Sequence, residues 1–172
     1  MGVVIAFGAL KGGVGKSTLA VNVSCAIAVA GQRVELIDAD EQATVLAWSE
    51  QDAGLAGLPV PVQALPATDQ TDVRRWLDTV LAHADLVDVL VLDLPPQVGQ
   101  VMRAALAAAD LLVLPVTASG VDLHSTGRVL ELVREAREVR GGGLPRCLLV
   151  PSRVDRRTAS GREVEAVLHD FG

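Results

Sequence analysis

Short apolar segments alternate along the chain with segments of helical period. The apolar segments predict strands at 3–7, 33–37, near 60–64, and at 86–92, 111–116 and 146–150. The segments between them predict helices at 16–30, 44–51, 72–83, 99–109, 122–140 and 161–169. Strands that are apolar at consecutive positions are typical of parallel sheets, which are buried on both faces. The pattern therefore predicts an α/β fold with a doubly wound, mainly parallel β-sheet and helices on both faces.

The helix predicted at 16–30 carries small apolar residues nearly all round its circumference, which predicts burial on most sides. Asn22 and Ser24 interrupt this stretch, and no run approaches the ~18 uncharged apolar residues of a membrane span. The apolar start, residues 1–8, has no basic residue before it and is predicted to be a buried strand rather than a signal peptide. We therefore expect a cytoplasmic protein without stable membrane insertion.

The length of 172 residues predicts a single domain, residues 1–172. Half of the residues are apolar, but only 2% are aromatic. So few aromatic side chains exclude a nucleic-acid binder that stacks bases. Trp48 and Trp76 are instead predicted to pack in the interior or at an interface. Cys25 and Cys147 are too few for a disulfide-stapled scaffold and are predicted to fill the core as reduced thiols.

Charge is distributed unevenly along the chain. Lys and Arg number 15 against 21 Asp and Glu, a net charge of −6, but residues 1–130 carry −7 and residues 131–172 carry +1. Five arginines near the end have only Asp155 among them: Arg146, Arg153, Arg156, Arg157 and Arg162. Such a group can contact DNA phosphates, although the net charge of the whole chain opposes the contact. The alternative interpretation is a solvated loop and helix face.

A glycine-rich segment, KGGVGKST at residues 11–18, lies between the first predicted strand and the first predicted helix. Glycines let successive backbone N–H groups point at a phosphate, and the helix N-terminus adds partial positive charge. Lys16 is suited to neutralise the β- and γ-phosphate oxygens, and Ser17 to bind Mg²⁺. The nucleotide-binding residues predicted here are Lys11, Gly12, Gly13, Val14, Gly15, Lys16, Ser17 and Thr18.

The usual phosphate-loop pattern has glycine where Leu10 stands, and here a second lysine, Lys11, follows it. This segment resembles the deviant Walker A motif of the ParA/MinD family of P-loop ATPases. The resemblance implies ATP and Mg²⁺ as cofactors and catalytic roles for Lys11 and Lys16. In that family the first lysine crosses the interface of a nucleotide-sandwich dimer and contacts the partner's phosphates. Lys11 is therefore expected to act between the two protomers of a homodimer.

Two further segments resemble motifs of the same family. Residues 36–42, LIDADEQ, are similar to its Asp-x-Asp-Pro-Gln segment, with Glu41 in place of proline. This implies that Asp40 orients the attacking water and that Asp38 lies in the outer coordination sphere of Mg²⁺. Residues 90–96, LVLDLPP, resemble the Walker B motif, in which Asp93 would hold Mg²⁺ through water. Carboxylates that follow strands also fit the ligand sites of open α/β sheets.

The last part of the chain extends the resemblance. Residues 150–153, VPSR, resemble the loop that frames adenine, which implies Ser152 and Arg153 as cofactor-binding residues, although relatives often carry asparagine where Ser152 stands. The family usually continues with another strand and helices, whereas this sequence stops at Gly172. We therefore expect either a truncated chain or an unusually short member.

The resemblance implies a ParA-type ATPase that dimerises on binding ATP–Mg²⁺ and binds DNA nonspecifically on the nucleoid. Such an ATPase drives plasmid or chromosome partition or cargo positioning, and a ParB-like or other partner protein stimulates its hydrolysis. Two alternatives stay open. A small-molecule P-loop kinase or ligase of the dethiobiotin synthetase type gives no reason for Lys11. A MinD-like membrane-associated ATPase needs a C-terminal amphipathic helix.

Overall fold

The computed structural model describes the backbone of residues 1–51, 58–68, 70–118, 120–159 and 161–162. Its strands are β1 (Val3–Phe7), β2 (Val34–Asp38), β3 (Val62–Ala64), β4 (Val89–Asp93), β5 (Leu111–Val116) and β6 (Arg146–Pro151). Its helices are α1 (Lys16–Val29), α2 (Thr44–Gln51), α3 (Val73–Ala84), α4 (Gln100–Ala108) and α5 (Gly120–Val139). The helix predicted at 161–169 lies outside the described residues except at its first two positions.

The strands form one sheet in the order β3-β2-β4-β1-β5-β6, and every neighbouring pair is parallel. β1 occupies an interior position, with Val3 opposite Val89 of β4 and Ile5 opposite Leu111 of β5. The predicted doubly wound α/β fold is therefore confirmed. Parallel order follows from the sequence pattern, because each strand is separated from the next by a helix that returns the chain to the same end of the sheet.

Two apolar clusters cover the two faces of the sheet. One contains Ala20 and Val21 of α1 with Val34 and Leu36 of β2. The other is larger and joins the sheet to α3, α4 and α5. The helix that follows β1 and the helix that follows β4 therefore cover opposite faces, although these two strands are neighbours. A crevice opens between the carboxyl ends of such strands, which is where ligands bind in open α/β sheets.

The expectation that the first helix is buried on most sides is wrong. Ala20, Val21 and Ser24 of α1 are buried, but Asn22, Ala26 and Val29 are exposed, with Val29 at 81%. The reason is that α1 lies in an outer layer and covers the sheet with one face. Its opposite face carries small apolar residues without being covered by another described element.

Trp76 and the cysteines occupy positions close to those predicted. Trp76 is 3% exposed, and its Nε1 donates to the carbonyl oxygen of Leu65 at 3.2 Å. Cys25 and Cys147 are half-buried and not bonded to each other, and burial raises the pKa of Cys147 to about 11. Within the described part of the chain, none of the helices combines the length and apolar character that crossing a membrane requires.

Candidate phosphate-binding site

The loop between β1 and α1 is built for anion binding. Gly13 and Gly15 have φ values of +78° and +94°, in the left-handed region that glycine adopts without strain. Gly15 is the N-cap of α1, and α1 begins at Lys16. The first N–H groups of a helix have no partner within the helix, and the helix dipole makes this end attractive to negative charge. The loop therefore presents backbone donors and a partial positive charge at the carboxyl edge of the sheet.

Lys16, Ser17 and Asp93 meet at this edge. The Nζ atom of Lys16 lies 2.5 Å from Oδ1 of Asp93, and the Ser17 hydroxyl donates to Oδ2 of the same carboxylate at 2.6 Å. The side chain of Asp93 is fully buried and that of Lys16 is 8% exposed. The phosphate loop and the end of β4 are thus joined by a buried ion pair and a charge-assisted hydrogen bond.

Burial raises the pKa of Asp93, while the Lys16 ammonium and the Ser17 hydroxyl act in the opposite direction and the nearby Asp38 adds to the increase. A buried carboxylate beside a serine hydroxyl is an oxygen donor set of the kind that Mg²⁺ prefers. Ser17 and Asp93 therefore fit a magnesium ion bound with a nucleotide. Among the described residues, no group of three His, Cys, Asp or Glu side chains forms a separate metal site.

Asp38 organises the loop that follows β2. It is 1% exposed; its Oδ1 accepts the N–H of Asp40 at 3.2 Å, and its Oδ2 accepts those of Val45 at 2.8 Å and Leu46 at 3.2 Å. These bonds hold the start of α2 against the sheet, as a capping carboxylate does. Asp38 also lies opposite Asp93 on the adjacent strand. Its described contacts are with backbone N–H groups, so it fixes the position of Asp40.

A cleft of about 330 Å³ collects most of the predicted site residues. Its lining includes the loop residues Lys11, Gly12, Gly13, Gly15, Lys16, Ser17 and Thr18, together with Asp40 and Arg153. Val14 does not line it, because its side chain is buried at 3% exposure below the loop. Lys11 is exposed at the edge of the cleft. Three cationic side chains and one carboxylate therefore line the same space.

Ser152 and Arg153 follow the end of β6 and approach the phosphate loop differently. The Ser152 hydroxyl donates to the carbonyl oxygen of Val14 at 2.6 Å, and Ser152 is not part of the lining of the cleft. Arg153 has a φ of +53°, uncommon for a residue other than glycine, and its guanidinium lies near Gly13. The two residues therefore contact opposite sides of the loop.

The five arginines near the end of the sequence do not form one patch. Arg146 begins β6 and Arg153 follows its end, so the two lie at opposite edges of the sheet, roughly 20 Å apart at about 3.3 Å per residue. Arg157 forms an exposed ion pair with Asp155 at 2.8 Å, and Arg162 donates to the carbonyl oxygen of Arg157. The basic group that surrounds the cleft is therefore Arg153, Arg156, Arg157 and Arg162, which we call the arginine loop.

The sequence interpretation missed three residues of the cleft lining: Thr44, Trp48 and Pro96. Trp48 is 40% exposed, and it follows Thr44 by four residues on α2, the spacing that puts two side chains on one helix face. This spacing, read together with the adjacent Asp40, was the signal that could have identified the wall. The prediction for Trp48 allowed packing or an interface, and its exposure at the cleft is consistent with the second.

Comparisons with known proteins support the same interpretation of the site. The sequence profile of the family described as ATPase MipZ matches residues 3–169. The chain is 34% identical over 188 residues to the chromosome-partitioning ATPase Soj of Thermus thermophilus, covering 95% of this chain and 74% of that protein. It is 29% identical over 164 residues to the maintenance of carboxysome distribution protein A of Halothiobacillus neapolitanus, covering 95% and 72%.

Solved structures share the fold. The cobyrinic acid a,c-diamide synthase of Mycobacterium smegmatis, with a bound ATP analogue and magnesium, superimposes with a TM-score of 0.77 over 100% of this chain and 81% of that chain. The sequence identity is 21%. At this identity the likeness establishes the arrangement of strands and helices around the cleft.

Proposed function

Since this chain belongs to the MipZ family of ATPases, within the ParA/MinD group of P-loop ATPases, we propose that it is an ATP-dependent partition or positioning ATPase. In this proposal the protein binds ATP–Mg²⁺, forms a sandwich homodimer, binds DNA nonspecifically on the nucleoid and releases it when a ParB-like partner stimulates hydrolysis. The relatives named above act in chromosome partition and carboxysome distribution, which supports a role in the positioning of cargo.

The observation that carries the proposal is the joint lining of one cleft by Lys11, Lys16 and Asp40. Lys16 is buried at the base of the cleft, whereas Lys11 is exposed at its edge. An exposed lysine at the edge can approach the phosphates bound by a second protomer, while a buried lysine serves its own. A small-molecule kinase or ligase would need only the buried lysine, so Lys11 favours the dimeric ATPase.

Each residue has a distinct chemical task in this proposal. The N–H groups of residues 12–16 bind the phosphates, and Lys16 moves from Asp93 to the phosphate oxygens. Ser17 and Asp93 would hold Mg²⁺, which neutralises charge on the β- and γ-phosphates when it is bound. Asp40, fixed by its N–H bond to Asp38, accepts a hydrogen bond from the attacking water. Lys11 of one protomer stabilises the charge that develops at the cleft of the other.

The arginine loop, residues 153–162, provides the proposed contact with DNA. It carries four arginines and Asp155, and it starts at the wall of the nucleotide cleft. A single loop of this size binds DNA phosphates weakly against a net charge of −6. Dimerisation would present two such loops on one particle and raise the affinity without any new contact. DNA binding is therefore expected to depend on ATP.

The test of this proposal is retention of the protein on nonspecific duplex DNA with ATP or ADP, at 50 and 200 mM salt. We expect binding with ATP, little binding with ADP, and a loss of affinity of at least about tenfold between the two salt concentrations. Replacing Arg162 with alanine is expected to lower the slope of log affinity against log salt by about two, one for each protomer. Arg74→Ala on α3, also exposed, is the matched control and leaves the slope unchanged.

Each outcome separates the proposal from its alternatives. No DNA binding in either nucleotide state would contradict it and favour the kinase or ligase interpretation. ATP-dependent binding to anionic vesicles in place of DNA would favour the membrane-associated interpretation. Equal binding with ATP and ADP would contradict the dependence on a dimer.

A further inference from the structure

Ser152 joins three parts of the molecule that are distant in sequence. Its N–H donates to the carbonyl oxygen of Val116 at the end of β5 at 2.8 Å. Its hydroxyl donates to the carbonyl oxygen of Val14, 138 residues away, at 2.6 Å. The residue itself ends the connection from β6 and is half-buried. The phosphate loop is therefore tied to the ends of two strands through one side chain.

The bond to Val14 fixes the orientation of a peptide group in the phosphate loop. In a trans peptide the C=O and the following N–H point in opposite directions. Because the Val14 carbonyl points at Ser152, the N–H of Gly15 points the other way. Gly15 lines the cleft, whereas Ser152 and Val14 do not. The hydroxyl thus holds one donor of the phosphate loop in the orientation that phosphate binding needs.

Two features make this orientation dependent on Ser152. Gly15 adopts a φ of +94°, where the loop backbone has no side chain of its own to hold it. A Cβ atom on Gly15 would lie 3.2 Å from the Ser152 hydroxyl oxygen, so the side chain and the loop are in close contact. A glycine-rich loop has several accessible conformations, and a hydrogen bond to one of them reduces the entropy that is lost on binding.

We propose that Ser152 is a positioning residue that pre-orients the phosphate loop through the Val14 carbonyl, rather than a residue that contacts the nucleotide base. This inference rests on the proposed function in that it assumes phosphate binding at residues 11–18. It differs from the role that resemblance implies for Ser152, in which the side chain would face adenine. The two roles predict different effects on ligands that lack the nucleoside.

The test compares ATP with tripolyphosphate, each with Mg²⁺, by isothermal titration calorimetry. Ser152→Ala is expected to weaken the binding of both by about fivefold, the effect of one neutral hydrogen bond. Ser152→Thr keeps a hydroxyl and is expected to restore wild-type affinity for both. Ser49→Ala is the matched control, because its hydroxyl also donates to a backbone carbonyl at 2.6 Å, that of Leu46, away from the lining of the cleft.

The outcomes distinguish this inference from the proposed function. Weaker ATP binding with unchanged tripolyphosphate binding would mean that Ser152 contacts the nucleoside and would overturn the inference. Unchanged affinity for both ligands would overturn it as well, with the proposed function intact. Wild-type protein that bound neither ligand would overturn both. If Ser152→Ala proved too unstable for titration, Ser152→Cys, whose thiol is a weak donor, gives the same comparison.

Discussion

Replacing Lys16 with alanine is expected to abolish measurable ATP binding and to lower the free energy of unfolding at pH 8 by about 3 kcal/mol. The ammonium of Lys16 lies 2.5 Å from Oδ1 of Asp93, and both side chains are almost fully removed from solvent. Removing one partner of a buried ion pair leaves the other charge uncompensated. The stability loss therefore arises from Asp93, whereas the loss of binding arises from the missing phosphate contact.

The pH dependence of this variant provides the measurement. Burial already raises the pKa of Asp93, and removing Lys16 raises it further because an opposing influence is lost. Between the ordinary carboxyl pKa and the raised one, the folded state binds more protons than the unfolded state, so the free energy of unfolding falls as pH rises. The difference between Lys16→Ala and wild type is therefore expected to be largest at pH 8 and to shrink towards pH 5. Urea unfolding in nucleotide-free buffer with a chelator measures it.

A second substitution identifies the source of the effect. In the double variant Lys16→Ala/Asp93→Asn no buried carboxylate is left without a partner, so it is expected to be more stable at pH 8 than Lys16→Ala alone. Lys11→Ala removes an exposed lysine of the same loop and is the matched control, with stability close to wild type. A Lys16→Ala protein as stable as wild type at pH 8 would contradict a stabilising role for the pair.

Replacing Lys11 with alanine is expected to remove the ATP-dependent dimer while ATP binding is largely retained. Lys11 is exposed at the edge of the cleft, so each protomer keeps Lys16, Ser17 and Asp93 for its own nucleotide. In a two-fold symmetric dimer the substitution removes two contacts at once. Truncating one buried charged partner costs about 2–5 kcal/mol, so the dimer is expected to weaken by at least about 100-fold.

Light scattering with a slowly hydrolysed ATP analogue measures this effect, and a fluorescent nucleotide measures binding by the monomer. Arg74→Ala removes an exposed cation on α3 and is expected to dimerise like wild type. A full-strength ATP-dependent dimer formed by Lys11→Ala would contradict the role of Lys11 across an interface. Loss of both dimer and nucleotide binding would instead place Lys11 in the protomer's own site.

Local signals were sufficient to predict much of the fold. Apolar strands such as 111–116 have a length and pattern that differ from every helix in the chain, and β5 spans the same residues. The glycines of residues 12–15 require a special backbone, which the sequence shows directly. Boundaries moved by one to three residues, as for β4, because strand ends are set by pairing partners rather than by their own composition.

Features that depend on contacts between distant residues were not predictable from one sequence. The bond from Ser152 to Val14 spans 138 residues, and nothing near either position announces it. The separation of Arg146 from Arg153 follows from the length of β6, which converts a short interval in sequence into the width of the sheet. The exposure of α1 depends on which elements cover it, and the helix sequence does not contain that information.

The interior position of β1 has a consequence for the order of synthesis. Val3 pairs with Val89, and Ile5 pairs with Leu111, so neither neighbour of β1 exists until half of the chain has been made. At about 5–20 residues per second, the apolar segment 3–7 waits roughly 4–17 s on the ribosome for its first partner strand. During that time it is an unpaired strand that a chaperone or another nascent chain can bind. The phosphate loop is translated first among the functional segments, yet it can take its final shape only after Asp93 has been added.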